Sequence, residues 1–180
     1  FRYLSAAFGS AMITSVYSMV DMAMVGQYHG PDGTAALAVV APVWNIIYSL
    51  GLLMGIGGSV IFSAKRGAEQ NDGEENQYFT MAVLGSVLLA VLAWVGVLAF
   101  EAPILTFFGA DETLLAMAQR YMQPIKLVFP LFLFNQMLAA FLRNDKSPGL
   151  ATMGVLAGGL FNIFGDYFFV FTCDMGIYGA

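Results

Sequence analysis

Five long stretches of the chain contain no aspartate, glutamate, lysine or arginine: Tyr3 to Val20, Gly33 to Ala64, Asn76 to Phe100, Leu127 to Leu142 and Ser147 to Gly165. A helix needs about 20 mostly apolar residues to cross a bilayer, and backbone in hydrocarbon must satisfy its own hydrogen bonds. The pattern therefore predicts an all-α membrane protein, a polytopic helical bundle with five transmembrane helices. The first span extends through Asp21 to about Tyr28, the fourth starts near Met117 and takes in Arg120 and Lys126, and the fifth continues past Asp166 to Phe171. Composition agrees: 59% of residues are hydrophobic and 11% charged, where a soluble domain carries roughly 25% charged residues.

The same composition excludes several function classes. A formal charge of -5 with seven Lys plus Arg leaves no basic surface for nucleic acid, whose binding depends on counterion release. One cysteine, Cys173, and one histidine, His29, supply neither a disulfide framework nor a Cys/His zinc cluster. No cofactor is expected.

Turn signals separate the spans: His29-Gly-Pro-Asp-Gly33, Lys65 to Gln77, Glu101 to Glu112, and Arg143 to Gly149. Arg2, Lys65, Arg66, Arg143 and Lys146 fall on alternate ends, which the positive-inside rule assigns to the cytoplasm. The opposite loops carry Asp32, Glu101, Asp111 and Glu112, with Arg120 and Lys126 as exceptions at the outer end of the fourth span, and the segment from Glu101 to Met117 reads as a short interfacial helix. Phe1 is not an initiator methionine, and the sequence stops where a sixth helix would begin, so it reads as a fragment.

Two carboxylates sit inside apolar spans, Asp21 and Asp166. At mid-helix such a group costs roughly 2.5 to 3.5 kcal/mol by insertion scales, so each requires a cation, a proton or a polar cavity. The first and fifth spans run in the same direction. Asp21 lies eleven residues before Asp32, and Asp166 lies eight before Asp174, which places both acids in the outer half at similar depth. Each also has a polar residue four positions earlier on the same helix face, Tyr17 and Asn162. Two carboxylates, an amide and a phenol offer hard oxygen ligands to Na+, or one shared proton. The alternative is that each acid bonds a neighbouring helix or reaches the interface.

Asn45 on the second span and Asn135 with Gln136 on the fourth are amides at membrane depth, fitted either to line a cavity or to join helices. Gly51 with Gly55, and Gly154 with Gly158, read as close-packing pairs, and Pro42 and Pro130 as structural. Lys126 reads as a residue that snorkels to the interface, although an inward orientation would alter the titration of the acids. The loop from Lys65 to Gln77 reads as a solvated turn.

The stretch from Tyr17 through Asp21 to Gly26, followed by Ala35-Ala-Leu-Ala and Pro42, resembles the first two helices of the multidrug and toxic compound extrusion (MATE) transporters. Gly51 to Ser59, and Leu160-Phe-Asn162-Ile-Phe-Gly-Asp166 through Gly176 to Ala180, resemble the second and fifth. The resemblance spans nearly the whole chain. It implies five transmembrane helices of a six-helix transporter lobe within a twelve-helix fold, so that residues 1–180 form most of the N-terminal lobe and the partner is the C-terminal lobe of the same protein. It further implies alternating access in the cytoplasmic membrane, with export of drugs and organic cations in exchange for Na+ or H+. By motif, Asp21, Asn162 and Asp166 correspond to the family's cation site, Tyr17 to the tyrosine beside it, and Asn135 and Gln136 to cavity positions. Lys146 departs from the family's Arg-x-Asp-Gly loop, which commonly has glycine there.

A cation-coupled multidrug antiporter, not an enzyme, is accordingly the expected function. A flippase of related architecture would need a cationic cavity for a pyrophosphate. An intramembrane prenyltransferase would need aspartate-rich clusters to hold Mg2+, and here each helix carries one isolated acid. A structural subunit would leave two buried charges without a use.

Overall fold

The computed structural model describes residues 2–67, 74–144 and 148–179; within them, the side chains of residues 2–7, 10, 11, 13, 14, 17, 74 and 148 are left out of the description. Four long helices follow one another: α1 (Arg2–Gly67), α2 (Glu74–Phe107), α3 (Glu112–Asn144) and α4 (Pro148–Asp166). A π-helical segment, Tyr167–Thr172, and a short 3-10 turn, Gly176–Tyr178, complete the chain. Four segments among the described residues are long and apolar enough to cross a membrane: Ser18–Gly67, Glu75–Phe107, Glu112–Asn144 and Gly149–Thr172.

The sequence predicts five separate spans, whereas the first two form the single helix α1, interrupted only at Gly30. The expected loop from His29 to Gly33 contracts to one residue. Gly30 has φ 66° and ψ -154°, a backbone conformation open to glycine and unfavourable to residues with a Cβ. Pro31 then opens a new helical segment with the fixed φ that suits the first position of a helix, and the Thr34 hydroxyl donates to its carbonyl at 2.8 Å.

The interfacial helix expected from Glu101 to Met117 is also not a separate element. Helix α2 passes a distortion at Phe100 (φ -124°, ψ 26°) and continues through Pro103 to Phe107. A tight turn at Gly109 (φ 105°) then leads directly into α3. Asp111 starts that helix: its carboxylate accepts from the amides of Thr113 and Leu114 at 3.0 and 2.8 Å and from the Thr113 hydroxyl at 2.7 Å. These are orphan donors of a first helical turn. They hold the Asp111 carboxyl below the usual carboxylate range, the Leu114 amide contributing most. Helix α3 continues through Pro130 without interruption. Lys146 lies outside the described residues.

The chain divides into two compact units, Phe1–Val43 with Val97–Leu127 and Thr152–Ala180, and Trp44–Gly96 with Val128–Ala151. In the first, Val25, Val40, Leu105, Met122, Val170 and Ile177 are fully buried. In the second, Phe62, Ala82, Met137 and Phe141 form a core, with the rings of Phe62 and Phe79 set edge-on to Phe141 at 5.7 and 5.1 Å. Leu127, Leu131, Phe161 and Phe164 are each more than 70% exposed. Such side chains suit a lipid boundary and are poorly suited to water.

Glycine seats α1 against α3 in the second unit. A Cβ at Gly51 would lie 2.7 Å from the Leu133 carbonyl oxygen, and one at Gly55 would lie 2.9 Å from the Met137 Cα. The close-packing reading therefore describes the contacts of Gly51 and Gly55. It does not describe Gly154 and Gly158, where a Cβ would meet nothing within 4 Å among the described residues. At the end of α3, the Asn144 side-chain amide donates to the Ser59 hydroxyl at 2.6 Å, and the Ser63 hydroxyl donates to the Asn144 carbonyl at 3.0 Å.

Gly55→Ala should lower the stability of the detergent-solubilised protein by about 1 to 3 kcal/mol, because backbone atoms of α3 would have to move. Gly154→Ala should leave its thermal midpoint unchanged or raised. Equal midpoints for the two variants would contradict the packing description. Because the folded-state pKa of Asp111 is lowered, its contribution is present above the ordinary carboxylate range and is lost as pH falls through the folded value. Hydrogen exchange corrected for intrinsic rates should show the first turn of α3 opening under acid, and Asp111→Ala should open it at neutral pH too.

Candidate functional site

Two elements of the first unit supply the intramembrane acids. Asp21 lies on α1 nine residues before the break at Gly30, and Asp166 is the last residue of α4. Directly after Asp166 the helix widens, and the Cys173 amide donates to the Phe168 carbonyl five residues back at 2.9 Å. Single π turns of this kind are rare and occur mostly at functional sites.

Asp166 is only 4% exposed. The Asn162 side-chain amide donates to its Oδ1 at 3.3 Å, a contact along one helix face. Tyr121 of α3 lies near enough to Asp21 to act on its carboxyl. The Asp21 charge is also near enough to act on Asp166. Three buried oxygens have no hydrogen-bond partner among the described residues: Asp21 Oδ1, Asn162 Oδ1 and Asp166 Oδ2. Orphaned acceptors of this kind are costly in a low-dielectric interior, and they ask for a positive partner.

The structure thus pairs Asn162 with Asp166 along α4 and sets Asp21 within electrostatic reach of Asp166. The side chain of Tyr17 lies outside the described residues. Asn45, Asn135 and Gln136 belong to the second unit. Asn45 is exposed in a shallow cleft with Ser49 and Leu53, Asn135 is exposed, and Gln136 is half-buried. A Cβ on Gly51 would lie 2.7 Å from that of Gln136.

Tyr121 and the π turn are absent from the sequence reading. Tyr121 was accessible to it: Ala118, Tyr121, Met122 and Ile125 form one buried stripe at helical spacing, and a phenol on such a stripe marks a polar contact in the interior. Nothing in the run from Tyr167 to Thr172 announces a widened turn.

Lys126 does not snorkel alone. Its ammonium is bound by both carboxylate oxygens of Glu101 at 2.8 and 2.9 Å, with the two side chains 20% and 17% exposed. His29 is not a loop residue; it ends the first segment of α1, and its Nε2 accepts from the Ile177 amide at 3.1 Å. Among the described residues, no group of three or more His, Cys, Asp or Glu side chains is placed to hold a metal. The donor set is two carboxylates and an amide, the hard oxygens that suit Na+ or a proton.

A bundle of long apolar helices enclosing oxygens that lack a positive partner defines a multi-pass membrane protein with an intramembrane polar site. The family model described as MatE matches residues 6–168. The chain belongs to the MATE family. It is similar to the multidrug export protein MepA of Staphylococcus aureus (strain MSSA476), with 24% identity over 170 residues, 94% of this chain and 37% of the relative. It thus spans a little over a third of the length of the curated relatives it matches. Among solved structures, a MATE protein in the straight conformation superposes with TM-score 0.89 at 22% identity over 99% of this chain and 39% of that one. An outward-facing multidrug resistance MATE family transporter of the MOP superfamily superposes with TM-score 0.87 at 23% identity, covering 96% and 38%. Both establish the fold.

Removing one partner of a largely buried ion pair strands the other charge. Glu101→Gln should therefore lower the thermal midpoint, and the double variant Glu101→Gln, Lys126→Met should recover most of the loss. A double variant less stable than the single would contradict the pairing.

Proposed function

We propose that residues 1–180 form most of the N-terminal lobe of a cation-coupled antiporter that exports drugs and organic cations across the cytoplasmic membrane by alternating access. The observation that carries this reading is the set of three buried, unpartnered oxygens on Asp21, Asn162 and Asp166. One Na+ or one proton, arriving from outside, would neutralise that set. The ion is a transported substrate in this scheme. Tyr17, one turn before Asp21, is assigned to the same site, and Asn45, Asn135 and Gln136 to the surface that meets the drug.

At about 1.5 Å per residue, the 66 residues of α1 would extend about 99 Å, far beyond a hydrocarbon core of about 30 Å. We infer that α1 crosses twice and reverses at Gly30, giving five crossings in all. The break lies nine residues beyond Asp21, so the segment carrying that acid is the part assigned to movement. Coupling requires the ion and the drug to favour different conformations. Moving a two-state equilibrium from 1:99 to 99:1 takes about 10⁴-fold differential affinity, and tight binding alone shifts nothing.

MepA, named a multidrug export protein, supports an export role. A flippase would need cationic groups in its interior, and Lys126, the basic candidate for that role, is engaged by Glu101.

Asp166→Asn in the full-length protein should abolish efflux driven by an imposed gradient while membrane insertion is retained. Efflux should be measured in proteoliposomes with sodium and pH gradients imposed separately, which also identifies the ion. Efflux by the variant at the wild-type rate would reject the proposal.

A further inference from the structure

The outer ends of the two acid-bearing elements are tied together by contacts that the ion site itself does not use. The Tyr28 hydroxyl donates to Asp174 Oδ1, and the Ile177 amide donates to His29 Nε2 at 3.1 Å. Tyr28 lies seven residues beyond Asp21, and Asp174 lies eight beyond Asp166. Both sides of the clasp therefore stand beyond the carboxylates along the chain, Tyr28 by about two helical turns.

The clasp is closely fitted. Ile177 is 1% exposed, so its amide needs an acceptor, and only an imidazole with a free lone pair on Nε2 supplies one. The Tyr28 ring packs edge-on against His29 at 4.8 Å and against Phe171 at 6.0 Å. A Cβ on Gly176 would lie 2.7 Å from His29 Nε2 and 2.8 Å from Tyr28 Cε1, so no larger residue fits without opening it. Asp174 has φ 55°, a left-handed conformation uncommon outside glycine, although Asp and Asn tolerate it best.

Between Asp166 and Asp174 runs the π segment, whose five-residue hydrogen bonding lacks the fixed pitch of an α-helix. The α-helix therefore does not by itself set where Asp166 stands relative to Asp21. A second tie farther out removes that freedom. Along the same two elements, Val20, Met24, Gln27, Tyr167 and Phe171 line an open cleft of about 490 Å3, so packing there is incomplete and the clasp is the outer fastening.

We propose that Tyr28, His29 and Asp174 are positioning residues for the coupling ion, holding the outer ends of α1 and the π segment together so that Asp21 and Asp166 present their oxygens to one cation. This rests on the reading of Asp21, Asn162 and Asp166 as the coupling site. Opening the clasp lets the oxygens separate, which weakens ion binding and leaves the drug path intact.

The test uses the full-length protein in proteoliposomes, with ethidium as the exported cation and Na+ or H+ imposed as separate gradients. Tyr28→Phe and His29→Ala should each raise the half-saturating concentration of the coupling ion about tenfold, the scale of one lost hydrogen bond. The maximal rate at saturating ion should be retained. His29→Gln and Asp174→Asn, which keep an acceptor, should remain at the wild-type value. Wild-type half-saturation in Tyr28→Phe and His29→Ala, or equal losses in His29→Ala and His29→Gln, would overturn the proposal. Asp166→Asn is measured alongside. If it loses driven export while the clasp variants match wild type, the clasp alone fails; if it exports like wild type, the coupling site fails.

Discussion

A carboxylate enclosed by apolar helices has to be answered by a positive charge, a proton or water, and the first unit of this chain is organised around that requirement. Asp21 and Asp166 come from elements far apart in sequence, yet they are near enough for one charge to act on the other. The available donors leave part of the demand unmet. Asn162 answers one oxygen of Asp166 and Tyr121 lies near Asp21, while three oxygens are left over. An apolar replacement of these residues would remove that cost, and the proposed coupling ion would offset it. The Glu101–Lys126 pair is the contrasting case, since each charge there is satisfied within the chain.

The backbone departs from regular helix around the same region. Gly30 interrupts α1 beyond Asp21, and the π segment begins immediately beyond Asp166. Regular α-helix would set the depth and direction of each acid by pitch alone. With both helices interrupted beyond the acids, regular helical pitch does not by itself fix the separation of the carboxylates, and the contacts farther along the two elements hold it. The second unit contrasts with this. Its glycine positions bring backbones into contact, and its aromatic core gives α1 and α3 little room to slide.

Much of this was legible in the sequence, for identifiable reasons. Charge-free runs translate directly into apolar helices because hydrocarbon tolerates no unsatisfied backbone. The four-residue spacing of Asn162 and Asp166 became the hydrogen bond between them. Punctuation was less legible. Gly-Pro after His29 announces an interruption, but not that it contracts to the single residue Gly30. Tyr121, the clasp and the Glu101–Lys126 pair depend on residues 25 to 148 positions apart, beyond the reach of local periodicity. Gly154 and Gly158 show the converse, a packing motif whose face meets no neighbour among the described residues.

The central claim is that the two acids share an exchangeable cation. Difference infrared spectroscopy of the purified full-length protein reads it most directly, by following the carboxyl stretch as Na+ or H+ is exchanged without substrate. The account predicts a carboxyl signal that responds to at least one of these ions and disappears in both the Asp21→Asn and the Asp166→Asn variants. A carboxyl signal indifferent to both ions, or one that survives loss of either acid unchanged, would contradict it.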